Sequence, residues 1–457
     1  MHLHEFRRAG HGPSLLSAFV YFDVSFMVWM LLAALAPIII KGVADPGDGS
    51  KLLLGGELKG ISELQQGILL AIPPLGGAIL RICLGLFTDR FGARKAGLVG
   101  QILTLIPLLL GWLWATSGHR ETLYLQLLLV GLLLGVAGAS FAAALPLASR
   151  WYPPKYQGLA MGIAGAGNSG TVFALFFGPR LASQWGWGWN NVFGLALIPM
   201  IASLVFFALF AKDSPNQPPD RPLADYAKVG RLKDTWWFCL FYAVTFGGFV
   251  GLGSFVAIYF SQQYELNAAN AGSLGALCVL SGSFLRPVGG YLADRMGGIR
   301  LLTVLYVGVG VTMSCQAAIP SVVWATVWLF LCMGLLGMGN GAIFQLVPQR
   351  FPREIGVITG IVGAAGGVGG FLLPFGLKAL KGMKQLDSYS YGFALFALVA
   401  VGCAVALRAV ARQWEGSFVR QGGLAATEVK RYREDTALTQ SLGLPVPHPI
   451  EATEPVG

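Results

Sequence analysis

RICLGLFTDRFG, residues 81–92, recurs 205 residues later in related form as RPVGGYLADRMG, residues 286–297. Each copy begins with an arginine in an apolar run and closes on Asp-Arg, one further residue and a glycine. A looser match comes after it, since Phe141 aligns with Phe344. The repeat predicts a chain of two related halves, with a shared site near the midplane between them.

The composition predicts that both halves lie in a membrane. Of 457 residues, 55% are hydrophobic and only 12% are charged, whereas a soluble domain carries about a quarter charged residues. The apolar runs reach the roughly twenty residues that cross a hydrocarbon core; residues 236–260, for example, hold no charge. In lipid each backbone polar group must pair within its own segment, so these runs predict helices. The alternating polarity of barrel strands is not seen.

We therefore predict an all-α integral membrane protein with twelve transmembrane helices in two pseudo-symmetric six-helix bundles. The predicted helices lie near residues 15–40, 65–87, 96–116, 123–148, 158–184, 191–211, 236–262, 270–292, 300–319, 322–347, 357–379 and 390–412. The corresponding divisions are an N-terminal bundle (1–211), a cytoplasmic linker (212–235), a C-terminal bundle (236–412) and a cytoplasmic tail (413–457).

The net charge of +10 is explained by topology. Most of the Lys and Arg residues fall in the loops on one side of the predicted helices, the side that holds both termini. Because basic loops stay in the cytoplasm, both termini are expected there, in a multi-pass protein of the cell's inner membrane. The charge thus points to a lipid bilayer as partner and not to nucleic acid. We expect a monomer.

The quoted motifs resemble those of a known family. GLFTDRFGARK, residues 85–95, is similar to the loop motif of the major facilitator superfamily. GIAGAGNSG (162–170) and GIVGAAGGVGG (360–370) resemble the paired glycine-rich stretches of its nitrate/nitrite porter family. The resemblance implies a secondary transporter of nitrate and nitrite, working by alternating access as nitrate/proton symport or nitrate/nitrite antiport.

Arg81 and Arg286 are the main candidate substrate ligands. Each lies eight residues before its motif Asp, about 12 Å along a helix, and so inside the hydrocarbon. A buried arginine is costly unless it is compensated, and no Asp or Glu occupies the middle of a predicted helix. A guanidinium group grips planar oxyanions with two prongs. The pair therefore predicts an external anion, with an internal salt bridge as the alternative.

The glycine-rich stretches supply further candidates. Gly165, Gly167 and Gly170 spell GxGxxG, but they lie in a long apolar helix and lack the strand that a nucleotide site needs. Close helix packing through small residues is the simplest interpretation, and it also suits a narrow site lined by Gly165, Gly167 and Gly363. The resemblance implies that Asn168 lies beside the anion; a hydrogen bond between helices is the alternative.

Three aromatic residues belong to the predicted site. Tyr242 and Phe246 are one helical turn apart, hence on one face. The resemblance implies that they and Phe141 cover the two faces of a flat anion, with the tyrosine hydroxyl as a donor. Ordinary core packing remains the alternative for each.

A gate is predicted at the helix ends that follow the arginines, formed by Asp89, Arg90, Arg94, Asp294 and Arg295. In this gate the Asp caps the next helix and pairs with an Arg. The alternative is that these charged residues only set the orientation of the helices in the membrane. Asp23, placed near the cytoplasmic end of its helix, is the one carboxylate candidate for proton coupling. Its alternative role is that of an interfacial residue.

Other functions remain open at this point. An antiporter of the oxalate/formate type would share the fold, and a non-transporting anion sensor would bind without flux. A membrane enzyme would need a cluster of His, Cys or carboxylate groups in the bilayer. None is visible, and the six cysteines form no CxxC pair, so we expect no enzyme, no metal and no cofactor.

Overall fold

The computed structural model describes residues 6, 8–44, 52–114, 120–215, 223–351, 355–383 and 388–424. Within these ranges, twelve helices are long and apolar enough to cross a membrane. They are α1 Gly12–Lys41, α2 Glu63–Phe91, α3 Ala93–Leu113, α4 Glu121–Ser149, α5 Ala160–Gln184, α6 Trp189–Phe210, α7 Lys233–Gln263, α8 Ala268–Met296, α9 Gly298–Ala317, α10 Val322–Arg350, α11 Val357–Lys381 and α12 Tyr389–Ser417.

The twelve-helix prediction is confirmed, with differences at the ends of elements. Helix α12 runs on to Ser417, five residues into the predicted tail, and residues 425–457 of that tail lie outside the described ranges. The predicted linker contains a short helix, Leu223–Gly230. The predicted first loop contains two short strands, Val43–Ala44 (β1) and Leu52–Leu54 (β2), paired antiparallel. We call the end of the helices that lies beside β1 and β2 the strand end, and the opposite end, beside the predicted linker, the linker end.

The glycine that closes each copy of the repeat makes the turn between two helices. Gly92 and Gly297 have φ values of 92° and 94°, and each lies between the end of one helix and the start of the next. A side chain is strained in this left-handed region, whereas glycine is not. The motif therefore sets the tight connections α2–α3 and α8–α9.

Three helices are interrupted near their middles. Helix α1 breaks at Met30, α4 breaks at Ala139 and Ser140, and α5 contains a 3₁₀ segment at Ala166–Ser169. Irregular backbone inside a membrane is tolerated where it is buried in protein or lines a cavity. The breaks bring backbone polar groups to the centre of the molecule, where the candidate site lies.

Polar side chains join the two halves at the strand end. The Lys378 ammonium on α11 is fully buried; it donates to Glu63 at 2.6 Å and Gln66 at 2.8 Å on α2, and to Gln262 on α7. Nearby, Lys41 donates to the carbonyl of Ser261 at 3.0 Å. These bonds connect α1 and α2 of the first half with α7 and α11 of the second, so they hold the halves together at this end.

Candidate functional site

Arg81 on α2 is fully buried and is bonded to both halves of the chain. Nη2 donates to the carbonyl of Gly138 at the break in α4, and Nη1 donates to the carbonyl of Gly363 on α11, both at 2.7 Å. Nε is buried without a partner. Two carbonyl oxygens thus solvate this guanidinium group, which the sequence did not indicate, and no described carboxylate pairs with it. Nε remains free to donate to a ligand.

Arg286 on α8 lies close to Arg81 and is 7% exposed. Its Cζ is 5.5 Å from the centroid of the Phe141 ring, and that of Arg81 is 5.1 Å from the same centroid. The two guanidinium groups can therefore be no farther apart than the sum of these distances. Nη1 of Arg286 is buried and has no partner. Among the described residues, neither arginine forms an ion pair with a carboxylate.

The predicted aromatic residues surround the arginines. The rings of Phe141 and Phe246 each lie 5.1 Å from Arg81 Cζ, and they are 6.5 Å apart with an angle of 47° between their planes. A flat anion between them needs two contacts of about 3.5–4.0 Å. The rings must therefore move slightly apart to cover both faces of such an anion.

Tyr242 contributes a free hydroxyl group. Its ring stacks on that of Phe246, with centroids 5.0 Å apart and planes at 7°, and meets the edge of Phe344 at 5.2 Å. The hydroxyl is buried and donates to no described residue, and Arg286 lies close to its oxygen. It is a donor held in position by its ring.

The glycine-rich stretches fall into two groups. Gly363 supplies a carbonyl to Arg81, and Gly165 lies against Arg286, where an added Cβ would come within 3.6 Å of Cζ. Gly167 instead packs on Phe22 and the backbone of Asp23, at 2.8 and 2.9 Å from an added Cβ. The structure therefore brings two of the three predicted site glycines to the arginines, and Gly167 contacts helix α1.

Asn168 lies in the 3₁₀ segment of α5 and is fully buried. Neither atom of its amide has a hydrogen-bond partner. The alternative role, a hydrogen bond between helices, is absent here. An unpaired buried amide is unfavourable, so the group is suited to a partner that arrives from outside.

Asp23 is deeper than the sequence suggested. Asp23 lies eleven residues, or about 16 Å along the helix, from the linker end of α1. Arg81 lies ten residues, or about 15 Å, from the linker end of α2, so the two residues are at a similar depth. Phe22, the neighbour of Asp23, lies 5.9 Å from Phe141. Asp23 accepts a hydrogen bond of 2.6 Å from Ser169, the residue next to Asn168. This position favours the coupling role over the interfacial one, because α1 begins three residues earlier than predicted and α5 packs against it here.

The gate residues of the first half have partners that the sequence did not indicate. Asp89 pairs with Arg150, at the end of α4, at 2.8 Å. The start of α3 is held by Asp213, which accepts a 2.9 Å hydrogen bond from the backbone N–H of Arg94. Arg94 also donates to the carbonyl of Ala208 at 2.9 Å. The linker thus supplies the cap that was predicted for Asp89.

The second half does not repeat these contacts. Asp294 is exposed and pairs with no cation among the described residues; Arg295 lies over the Tyr291 ring at 4.5 Å. Arg90 in the first half is likewise exposed and lies over Phe91 at 5.6 Å. The ion pair at this end of the second half joins Arg350 to Asp234 at 2.6 Å. The duplicated sequence therefore does not produce duplicated contacts.

The buried residues Lys378 and Asn340 were not singled out by the sequence analysis. Lys378 lies close to the predicted end of its helix, where a lysine is ordinary. Asn340 is an uncharged residue in the apolar run of α10, and its amide is 1% exposed with neither atom bonded. The sequence does place Asn340 one helical turn before Phe344, which belongs to the repeat, and this spacing could have indicated that it lies near the site. Within the described ranges, no group of three or more His, Cys, Asp or Glu residues is placed to hold a metal.

Comparisons with known proteins show the family to which the chain belongs. A family model described as Major Facilitator Superfamily matches residues 17–374. The "Nitrite extrusion protein" of Bacillus subtilis is 31% identical, over 83% of this chain and 89% of its own length. The "Probable nitrate/nitrite transporter NarK2" of Mycobacterium tuberculosis is 30% identical, over 86% and 94%. The structure of the human organic anion transporter MFSD10 (TETRAN) aligns with a TM-score of 0.66 at 14% identity, over 86% of this chain and 99% of that one; that likeness concerns the fold alone.

Proposed function

Because the chain belongs to the Major Facilitator Superfamily, we propose that it is a secondary transporter that carries nitrate and nitrite across the cytoplasmic membrane by alternating access. Relatives that are about 30% identical over most of the chain are named for transport or extrusion of these anions. A site for such an anion should be cationic and closed to water, and the two arginines at the centre of this molecule are buried.

The observation that carries the proposal is the pair of buried arginines, neither of which forms an ion pair with a carboxylate in the described ranges. Two cations in an apolar interior repel each other and are costly to bury. A single small anion between them offsets both effects. The free donors are Arg81 Nε, Arg286 Nη1 and the Tyr242 hydroxyl, and an anion with two or three oxygens can accept from all of them. The planarity of guanidinium matches that of nitrate and nitrite.

Arg81 also links anion binding to the movement of the halves. It already bonds to Gly138 in the first half and Gly363 in the second. An anion held between Arg81 and Arg286 adds a connection of the same kind. Occupancy thus favours a state in which the halves are close at the centre, and the bonds of Lys378 hold them at the strand end. Release on the strand side requires those bonds to break.

The driving force depends on Asp23. In nitrate/proton symport a titratable group must bind and release a proton in each cycle, and nitrate, the anion of a strong acid, does not bring one. Asp23 lies at the depth of the arginines and is bonded to the residue beside Asn168, which favours symport. Nitrate/nitrite antiport needs no proton, because the two anions alternate at one site.

The test is counterflow with the purified full-length chain in liposomes. Liposomes loaded with nitrite or nitrate should accumulate external labelled nitrate, and Arg286→Gln should abolish this uptake. Arg408→Gln, at an exposed position of α12, serves as the matched control and should retain it.

Binding of nitrate without flux would identify a sensor and overturn the proposal. Preferential exchange of oxalate for formate would identify the other antiporter class. Basic loops facing the cytoplasm, both termini in the cytoplasm and a monomeric state remain part of the proposal, and protease accessibility from each side of the membrane tests the orientation.

A further inference from the structure

The interior contains a polar group that the proposed site does not use. The amide of Asn340, on α10, is buried with both Nδ2 and Oδ1 unbonded. A buried amide loses its hydrogen bonds to water, and nothing in this conformation replaces them. Asn168 is in the same condition in the first half, so an explanation that serves one amide should be considered for the other.

The neighbours of Asn340 show where its side chain is directed. An added Cβ on Gly339 would meet Thr245 of α7 at 2.7 Å, and one on Gly341 would meet the carbonyl of Arg286 on α8 at 2.3 Å. Successive residues of a helix point about 100° apart, so the side chain of Asn340 points between the directions of these two contacts. It therefore faces the groove between α7 and α8, the helices that carry Tyr242 and Arg286.

Phe344 fixes the level of Asn340 in the molecule. It lies one turn further along the same face of α10 and contacts the rings of Phe141 at 5.8 Å and Tyr242 at 5.2 Å. Both of these rings belong to the candidate site. Asn340 is therefore one helical turn away from the aromatic wall of that site, on its strand-end side.

The repeat explains why the second half carries its amide on α10. In the aligned glycine-rich stretches, the residue equivalent to Asn168 is Gly366. A Cβ there would lie 2.8 Å from ring carbons of both Tyr242 and Phe246, so no side chain fits at that position. The position equivalent to Asn340 in the first half is Ala137, by the alignment of Phe344 with Phe141. Each half thus carries one arginine and one free amide, on non-equivalent helices.

We propose that Asn340 is a ligand of the transported anion, donating from Nδ2 as the second-half counterpart of Asn168. The inference rests on the proposed transport of a small anion and assigns it a binding residue that the repeat did not predict. Nitrate has three oxygens and accepts from more donors than the arginines and Tyr242 provide. An amide on each half lets each half hold the anion as the two move relative to one another.

The experiment measures anion affinity and thermal stability of the purified full-length protein. Asn340→Ala and Asn340→Leu both remove the amide but differ in size, so a packing fault would affect them differently. Both should raise the nitrate Kd by about tenfold or more, as expected for one hydrogen bond to a charged ligand. The melting temperature without anion should not fall, because the amide has no partner to lose.

Gln349→Ala provides the control on the same helix. Gln349 is buried near the linker end of α10, and its amide donates to the carbonyl of Gln345 at 2.9 Å. This variant should bind nitrate as the wild type does. Wild-type affinity in either Asn340 variant, or equal loss in Gln349→Ala, would overturn the assignment.

A panel of nitrate, nitrite, chloride and oxalate separates this inference from the proposed function. If the wild type binds one of the other anions in place of nitrate, the proposed substrate is wrong and the Asn340 variants are compared on that anion. If it binds none of them, both proposals fail.

Discussion

Replacing each arginine by lysine should have different effects on stability, although both changes should stop transport. The reason is the bonding of Arg81, whose Nη1 and Nη2 donate to carbonyls on two different helices, α11 and α4. Lysine has three N–H donors on one nitrogen and lacks the planar fork in which two nitrogens each face one carbonyl, so we expect it to lose at least one of these two bonds. The carbonyl that loses its bond remains buried without a donor.

The magnitude follows from the hydrogen bond that is lost. A bond from a charged group contributes about 1.5–3 kcal/mol, and an unsatisfied buried acceptor costs a similar amount. Arg81→Lys should therefore lower the free energy of unfolding by about 1.5–3 kcal/mol. No hydrogen bond from Arg286 to a backbone carbonyl is found in the described structure, so Arg286→Lys should lower the free energy of unfolding by less than Arg81→Lys does.

The effect on nitrate should be similar for the two variants. Each variant loses a guanidinium donor to the anion, Nε of Arg81 or Nη1 of Arg286, which corresponds to a rise in Kd of about 10- to 150-fold. The assay combines thermal unfolding in detergent, without nitrate, with counterflow in liposomes. Equal melting temperatures for the two variants would refute the bonding argument, and wild-type uptake by either would refute the assigned site.

Three further predictions concern residues around the site. Gly363→Ala should reduce nitrate flux far more than Gly165→Ala, because the methyl group at residue 363 lies 2.9 Å from Arg81 Cδ, whereas the methyl group at residue 165 lies 3.6 Å from Arg286 Cζ. Equal fluxes in the two variants would contradict this. Lys378→Met should lower the free energy of unfolding by about 1–3 kcal/mol, since its acceptors lose their donor. It should also increase thiol labelling of a cysteine introduced at the strand end, and unchanged labelling would count against a link between the halves. Asp23→Asn should abolish uptake driven by a proton gradient but spare nitrate exchange, which pH-jump and exchange assays separate; full gradient-driven uptake in this variant would exclude a coupling role.

The helices and the depth of the arginines were predictable because their signals are local. The length of an apolar run and the eight-residue spacing from Arg81 to Asp89 translate directly into distance along a helix. The closing glycine of the repeat likewise reports a backbone angle at its own position. Such features do not depend on which helix packs against which.

The partners of the charged residues were not predictable, because they come from other helices. Asp89 pairs with Arg150, and the cap of α3 comes from Asp213 in the linker. In the second half, Asp234 takes the place that the repeat assigns to Asp294. Pseudo-symmetry in the sequence constrains the path of the backbone more strongly than it constrains side chains. The same reasoning explains why Asn168 and Asn340 lie on non-equivalent helices.

The position of Asp23 gives symport a thermodynamic basis. Ser169 connects its carboxylate to the 3₁₀ segment that presents Asn168, and the depth along the helices places it near the two arginines. A negative carboxylate at this depth opposes the binding of an anion, and protonation removes that opposition. By linkage, the anion then favours protonation of Asp23 to the same extent that the proton favours the anion. A carrier in which the two ligands stabilise each other tends to move them together. Nitrate/nitrite antiport does not need this coupling. If the protein is an antiporter, the nitrate Kd should therefore change with pH in the same way in the wild type and in Asp23→Asn.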